Sequence, residues 1–588
     1  MTAATLCQAF QDTATRHAER VALRTPGDAV RITWGQYADR VRRIAGGLTA
    51  LGVRAGDTVG LMLVNRPEFH LCDTAVLHLG GTPFSIYNTS SAEQIAYLFG
   101  NAGNRVVITE VQFLPVLLRV AEQTRVEHII CVDGPAAGAI TLSEVEGRTA
   151  ADGFDFEAAW RAVKPDDIAT IIYTSGTTGP PKGVEITHAN LLAQCAATAE
   201  VLGTAAEHDR LISYLPSAHI ADRWGCHYSA MIYGAQITCL ADYKQILGAF
   251  TEVRPTTVGG VPQMWYRLKA GIELAVEHEP DPAKQQGMRW ALDVGRRYVQ
   301  AGQSGDVPAD LAAEYAKADE LVLSRLRAMI GLDQARIAVS GAAPIAPDVL
   351  EFVCAMGLPV CELWGMSELS CCATINPPDA IRIGTVGTAI PGVELKLADD
   401  GELLVRGATV MRGYRNDPEK TAETIDADGW LHTGDIATMD GDGYVTIIDR
   451  KKELIINTAG KNMSPANIES AVRAATPLAG QVVTIGDNRP YNTALIVLDP
   501  DAAAGFAAAR GNSGASIAEL AKDPAMIAAI QSAVDSANGR LSRVEQLKKF
   551  TILPHVWEPG GDELTPTLKL RRRPIAEKYA QEIDALYT

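Results

Sequence analysis

The segment Tyr173-Thr174-Ser175-Gly176-Thr177-Thr178-Gly179-Pro180-Pro181-Lys182-Gly183 packs hydroxyls, glycines and a lysine into one short stretch. Such a stretch suits a polyphosphate. Glycines let backbone N–H groups close around an anion. The hydroxyls of Thr174, Ser175, Thr177 and Thr178 add donors, and Lys182 adds positive charge. An apolar, strand-like run, Ile168 to Tyr173, feeds into it. The spacing is not that of a Walker A loop: counted from Gly176, it places Pro181-Lys182-Gly183 where Gly-Lys-Ser/Thr is required. The two prolines also oppose a helix beginning there. A surface turn shares this composition, but the order of residues favours a phosphate loop of another kind.

This segment resembles the signature of the acyl-adenylate-forming (AMP-binding) superfamily, and further motifs follow in that family's order. Ser340-Gly341-Ala342-Ala343-Pro344 resembles its adenine-contacting segment. Glu362-Leu363-Trp364-Gly365-Met366-Ser367-Glu368 resembles the stretch that holds adenine, phosphate and magnesium. Leu431-His432-Thr433-Gly434-Asp435 resembles the ribose motif, and Ile448-Asp449-Arg450-Lys451-Lys452 the hinge. Pro566-Thr567-Leu568-Lys569 resembles the motif bearing the catalytic lysine, and Leu215-Pro216-Ser217-Ala218-His219-Ile220 the acyl-site motif. The likeness runs from about Asp12 to about Lys578. It implies ATP and coenzyme A as substrates and Mg2+ as cofactor. Trp364 and Ser367 stand where the family often has Tyr and Thr, which keeps an aromatic face and a hydroxyl. A lysine that some relatives carry six positions after the hinge arginine is Ile456 here, so that role is not carried over.

The chemistry implied is the joining of two anions, a carboxylate and a phosphate, which requires cations. Glu368 is the carried-over ligand for magnesium, a hard cation that prefers oxygen. Lys569 is the candidate for bridging the attacking carboxylate and the α-phosphate. Read singly, Glu368 is equally a solvated carboxylate, and Lys569 one charge of the basic run 569–573. Asp435 suits two vicinal ribose hydroxyls, or is a turn residue after Gly434. Arg450 suits ribose or phosphate, or a surface ion pair. Lys452 takes the family's hinge position, or is a solvated lysine. His219 would close over the carboxylate end of the acid, or is a core histidine. Trp224, Tyr228, Gly259, Gly260 and Val261 are candidates for the pocket wall, though each suits a core as well.

The elements that must position these residues alternate. Residues 37–51 and 67–79 have helical patterns; Thr58 to Val64, Val106 to Thr109 and Ile129 to Val132 have strand character. This cadence predicts an α/β fold with parallel-rich sheets flanked by helices. Residues 266–330 are proline-punctuated and amphipathic, with helices over Gln286 to Gln300 and Ala309 to Ile330. They are either surface packing or the wall of a substrate tunnel. A Gly/Asp-rich zone, 399–443, reads as turns between short strands. The expected division is a large domain over 1–449, a hinge over 450–452, and a small mobile α+β lid over 453–588.

Composition narrows the function. The chain has 588 residues, 47% hydrophobic and 21% charged, enough for sizeable cores. A net charge of −17 does not suit a nucleic-acid binder. The ten cysteines form no Cys-x-x-Cys and the eleven histidines no His-Glu-x-x-His, so neither a disulfide framework nor a zinc site is expected. The polar N-terminus and the lack of an apolar run long enough to span a bilayer point to the cytoplasm. Peripheral contact with a membrane is left open. The resemblance is strongest to long-chain fatty acyl-CoA synthetases, through 266–330 with its Met288-Arg289-Trp290-Ala291-Leu292 and through Asp449 to Ile455. The expected activity is conversion of a long-chain fatty acid to acyl-AMP and then to acyl-CoA. The competing readings are an acyl-AMP ligase loading a carrier protein, a non-catalytic nucleotide-binding protein, and a P-loop NTPase.

Overall fold

A computed structural model describes residues 3–174, 180–203, 208–456, 462–565 and 568–588. A five-stranded sheet near the N-terminus, in the order Thr82–Ser85, Thr58–Met62, Val106–Thr109, His128–Cys131, Ile140–Thr141, is parallel throughout. Its strands are buried, which is why they read as apolar runs and not as alternation. Helices Trp34–Ala50 and Pro67–His78 cover it; Thr33 and Gln36 form a reciprocal cap on the first, and proline opens the second.

A second sheet carries Thr257–Gly260, Ile337–Ser340 and Val360–Trp364 in parallel, continued antiparallel by Thr374–Ile375 and Thr388–Ala389. A third pairs Arg210–Ser213, Gln236–Cys239 and Val21–Arg24 in parallel, with Arg31–Thr33 antiparallel at its edge. The carboxyl ends of Arg210–Ser213, Thr257–Gly260, Ile337–Ser340 and Val360–Trp364 supply the loops of the site described below. Ligands commonly bind at such ends in open α/β sheets.

Two antiparallel sheets complete this part. Strand Ile168–Thr174 turns back as Lys182–Thr187, and Gly413–Tyr414 joins the latter. Strands Val393–Leu397, Glu402–Gly407, Leu431–Met439 and Val445–Arg450 form a meander whose turns are the Gly/Asp-rich zone.

The helical insertion comprises Pro262–Glu277, Pro282–Ser304, Ala309–Ala318 and Ser324–Met329, the last two joined by a π turn. It has a small core of its own around Ala291, Val294, Ala318, Leu323 and Leu326. It packs so closely on helix Pro347–Ala355 that a methyl added at Gly295 would sit 2.3 Å from the Ala355 carbonyl oxygen. No residue from 268 to 330 lines the main cavity. Of the two readings of this segment, surface packing is the one the structure supports.

After the turn at 451–453 comes an α+β unit. Strand Ala479–Ile485 runs antiparallel to Asn492–Leu498, which is parallel to Leu547–Ile552. Helices Pro465–Ala475 and Pro524–Asn538 pack on it, and its hydrophobic clusters are separate from those of the larger part. Among the described residues, no helix is long and apolar enough to cross a membrane.

Candidate active site

One cavity of about 2190 Å3 lies between the large part and the C-terminal unit, with walls from both. The phosphate-loop candidate opens onto it. Thr174 and Lys182 pair directly at the end of their hairpin, and both line the cavity. Ser175, Gly176, Thr177, Thr178 and Gly179 lie outside the described residues. The Lys182 ammonium sits 5.0 Å from the centre of the Tyr414 ring, a cation–π contact. Burial lowers the Lys182 pKa, and nearby Lys420 adds to the effect. The Tyr414 hydroxyl donates to Glu368 Oε1 at 2.8 Å. A short chain of contacts therefore joins lysine, ring and buried carboxylate at one edge of the cavity.

Glu368 follows a close backbone crossing. A methyl on Gly365 would lie 2.1 Å from the Cys371 carbonyl oxygen, so only glycine fits between Trp364 and Met366. Ser367 and Glu368 are buried in the tight turn that follows, and Glu362, Leu363, Trp364 and Met366 line the cavity. Burial pushes the Glu362 carboxyl up to about 8, so it is mostly protonated at neutral pH. Gly341, Ala342 and Ala343 line the cavity beside the 362–366 stretch, with Ala342 in the left-handed region at φ 71°.

Asp435 and Arg450 are register partners on adjacent antiparallel strands. Arg450 Nε meets Asp435 Oδ1 at 2.7 Å, and Trp364 Nε1–H donates to Asp435 Oδ2 at 2.8 Å. Burial raises the Asp435 pKa, while the Arg450 charge opposes the rise. The result is a carboxylate fixed by two donors, with lone pairs left over to accept from a ligand.

Lys569 enters from the C-terminal unit. Its N–H donates to Thr565 Oγ1 at 3.0 Å, and Leu568 before it takes a left-handed φ of 62°. The ammonium is open to the cavity yet surrounded by protein. Burial lowers its pKa, with Arg450 adding repulsion and Asp435 and Glu368 opposing it. Asp435, Glu368 and Arg450 thus all act electrostatically on Lys569.

His219 lines the same cavity. Its Nδ1 accepts the Ala221 N–H at 3.2 Å, which leaves the proton on Nε2. Burial, helped by the Lys569 charge, brings its pKa down to about 4. The ring is neutral at physiological pH. Lys452 is exposed at the turn after Arg450 and borders the cavity.

Trp224, Gly259, Gly260 and Val261 line the cavity. Tyr228 does not, which corrects its placement in the pocket wall. It is fully buried, and its hydroxyl accepts from Arg223 Nη1 at 2.7 Å in the core. The sequence reading also missed an apolar recess. Cys195, Thr198 and Leu202 of helix His188–Leu202, Leu211 and Ile212 of the adjoining strand, and Ile337 and Val339 face the same cavity. Their types are those of ordinary core residues, so no local signal marks them.

Comparison with known proteins accords with this geometry. Residues 10–415 match the family described as AMP-binding enzyme, and residues 452–588 match the AMP-binding enzyme C-terminal domain. The chain is 55% identical over 453 residues to the provisionally named fatty-acid–CoA ligase fadD11 of Mycobacterium tuberculosis, covering 77% of this chain and 79% of that one. It is 36% identical over 570 residues to the long-chain-fatty-acid–CoA ligase FadD15 of Mycobacterium bovis, covering 95% and 92%. Its fold matches the adenylation domain of a carboxylate reductase from Mycobacterium chelonae, with a TM-score of 0.78 at 20% identity over 100% of this chain and 92% of that one.

Proposed function

The chain belongs to the AMP-binding enzyme family, and on that premise we propose that it is a long-chain fatty acid–CoA ligase. The fatty acid carboxylate attacks the α-phosphorus of ATP, giving acyl-AMP and pyrophosphate. Coenzyme A then takes the acyl group as a thioester and AMP leaves. The observation that carries this reading is the convergence of Lys182, Glu368, Asp435, Arg450, Lys569 and His219 on one cavity that continues into an apolar recess. The long-chain assignment draws on that recess and on the likeness to FadD15.

Each residue has a task that follows from its chemistry. Thr174, Lys182 and the hydroxyl-rich segment 175–179 between them hold the phosphates. Gly341 to Ala343 and Glu362 to Ser367 hold the adenine and neighbouring phosphate, and Asp435 accepts from the ribose hydroxyls with Arg450 beside it. Lys569 lies between carboxylate and phosphate, where its charge offsets the repulsion of two anions; its partial desolvation strengthens that interaction. His219, neutral and donating through Nε2, packs against the carboxylate end of the acid without adding charge. Glu368 would hold a magnesium ion: one of its oxygens accepts from Tyr414 and the other takes no hydrogen bond among the described residues, and magnesium commonly uses one carboxylate with substrate phosphates and water. That ion, when bound, neutralises phosphate charge.

The working division is a large domain over 1–449, a hinge over 450–452 and a lid over 453–588. Rotation at Lys452 withdraws Lys569 after the first step and admits the thiol.

The test is a panel of fatty acids of graded length with ATP, magnesium and coenzyme A, following AMP. Activity peaks at long chains if the reading is right. A peak at acetate or an aromatic acid rejects the substrate class, and release of ADP in place of AMP rejects the chemistry.

A further inference from the structure

The turn Arg223–Tyr228 is π-helical, set between the short helix Ile220–Asp222 and the helix Ser229–Tyr233. The Ser229 N–H reaches back to the Trp224 carbonyl, five residues earlier. A π turn holds one residue more than an α turn and tends to occur at functional sites. The two faces of this one differ in kind. Trp224, Ser229 and Tyr233, spaced by five and then four residues, line the cavity. Arg223, His227 and Tyr228 face the other way and are buried.

The buried face is anchored by a polar cluster. Arg223 has no exposed surface. It donates to Asp73 Oδ2 at 2.6 Å, to the Tyr228 hydroxyl at 2.7 Å, to Ser85 Oγ at 2.9 Å and to the Ser217 carbonyl at 2.9 Å. The other Asp73 oxygen accepts from His227 Nε2–H at 3.0 Å, and His227 Nδ1 meets His70 Nδ1 at 2.9 Å. Stability alone does not call for such a cluster, since apolar side chains of similar volume often serve as well as a buried ion pair. What a guanidinium adds is direction, a rigid planar fork with its acceptors fixed around it. Here those acceptors tie the π turn to helix Pro67–His78 and to the carbonyl two residues before His219.

We propose that the Arg223–Asp73–His227 cluster is a positioning device for the acyl end of the cavity. It fixes the π turn, and with it Trp224 and the 217–219 segment, as the wall against which the fatty acid lies. The inference rests on the fatty-acid reading given above. Relaxation to an α turn would rotate Trp224 by about 100° relative to Ser229 and Tyr233, at 3.6 residues per turn.

The test compares the full-length wild type with Arg223→Lys, which keeps the charge and loses the fork, and with Arg223→Gln/Asp73→Asn, which leaves no buried charge unpaired. Ser85→Ala removes a single acceptor and serves should either of the others fail to fold. Initial rates of AMP release are measured against acid, against ATP and across chain length. The expected result is a rise in KM for the preferred acid of about tenfold in the first two variants, and a smaller rise in Ser85→Ala, with KM for ATP within about twofold. The preferred chain length shifts as well. Unchanged acid KM and length preference, or equal rises in KM for acid and ATP, would overturn the proposal. A wild type that releases no AMP with any fatty acid would instead overturn the reading it rests on.

Discussion

Asp435 and Arg450 face each other across two antiparallel strands, and their side chains meet at 2.7 Å at the edge of the cavity. The strand that ends at Arg450 runs directly into the turn before the C-terminal unit. The ribose-binding candidate is therefore in contact with the first residue of the 450–452 segment that holds Lys452. Asp435→Asn keeps the shape of the side chain but removes its charge and one acceptor. The expected outcome is a rise of about tenfold in KM for ATP with KM for the acid unchanged, the pattern for loss of a binding contact. Initial rates at varied ATP check it, and an unaltered KM for ATP contradicts the ribose assignment.

Lys569 has the opposite kinetic signature. Lys569→Ala should lower acyl-AMP formation by more than about 100-fold, the scale on which removal of a group stabilising transition-state charge is felt. Thioester formation from supplied acyl-AMP and coenzyme A should stay near the wild-type rate. Following pyrophosphate in one assay and AMP in the other separates the two steps. Equal losses in both would mean that Lys569 is structural.

Glu368→Gln keeps the acceptor for the Tyr414 hydroxyl while giving up the negative charge. The magnesium concentration for half-maximal adenylation should rise roughly tenfold or more, as expected when a carboxylate partner of a metal is weakened. A titration with magnesium reads this directly. An unchanged midpoint removes Glu368 from the metal site.

Four histidines with lowered pKa bear on stability, and His70 is one, held well below its ordinary value by burial and by the nearby His227 and Arg223. Burial brings His78, His188 and His219 each from 6.5 to about 4. As pH falls from about 6.5 toward about 4, imidazoles of the unfolded chain take up protons that the folded ones refuse. Unfolding is therefore favoured as pH falls through that window, and stability rises with pH across it. Burial acts the other way on Asp222 and Glu362, whose carboxyls it raises to about 7 and about 8, so the share of the histidines is read by comparing urea midpoints at pH 5 and pH 7 between wild type and a variant. His188 Nδ1 accepts the Leu6 N–H at 3.2 Å, and Asn places an acceptor similarly. His188→Asn should therefore lower the pH 7 midpoint relative to the pH 5 midpoint. An equal difference in the variant contradicts the origin assigned to it.

Much of this arrangement was legible in the sequence, for identifiable reasons. Buried parallel strands are short apolar runs, and helix starts carry their caps beside them, as Thr33 and Gln36 do. The polar residues of the cavity could be picked out because their types and order resemble a family's motifs. The apolar recess could not, since Leu202, Leu211 and Ile337 have the composition of core whether they face a neighbour or a void. Trp224 and Tyr228 illustrate the same limit. Both are aromatics in one short segment, and the π turn that sends Trp224 to the cavity and Tyr228 to the core has no signature in residue type. Likewise, the chain reversal that pairs Thr174 with Lys182 depends on tertiary pairing that no local pattern reveals.

The chamber has its floor in one body and its roof in another. Anything that grips both surfaces at once acts as mortar between them. An acyl-nucleotide held there would draw the halves together in proportion to its own affinity and strengthen their adhesion by mass action. Discharging the finished molecule then requires prising that joint apart, so firmness of grip and speed of turnover pull against each other.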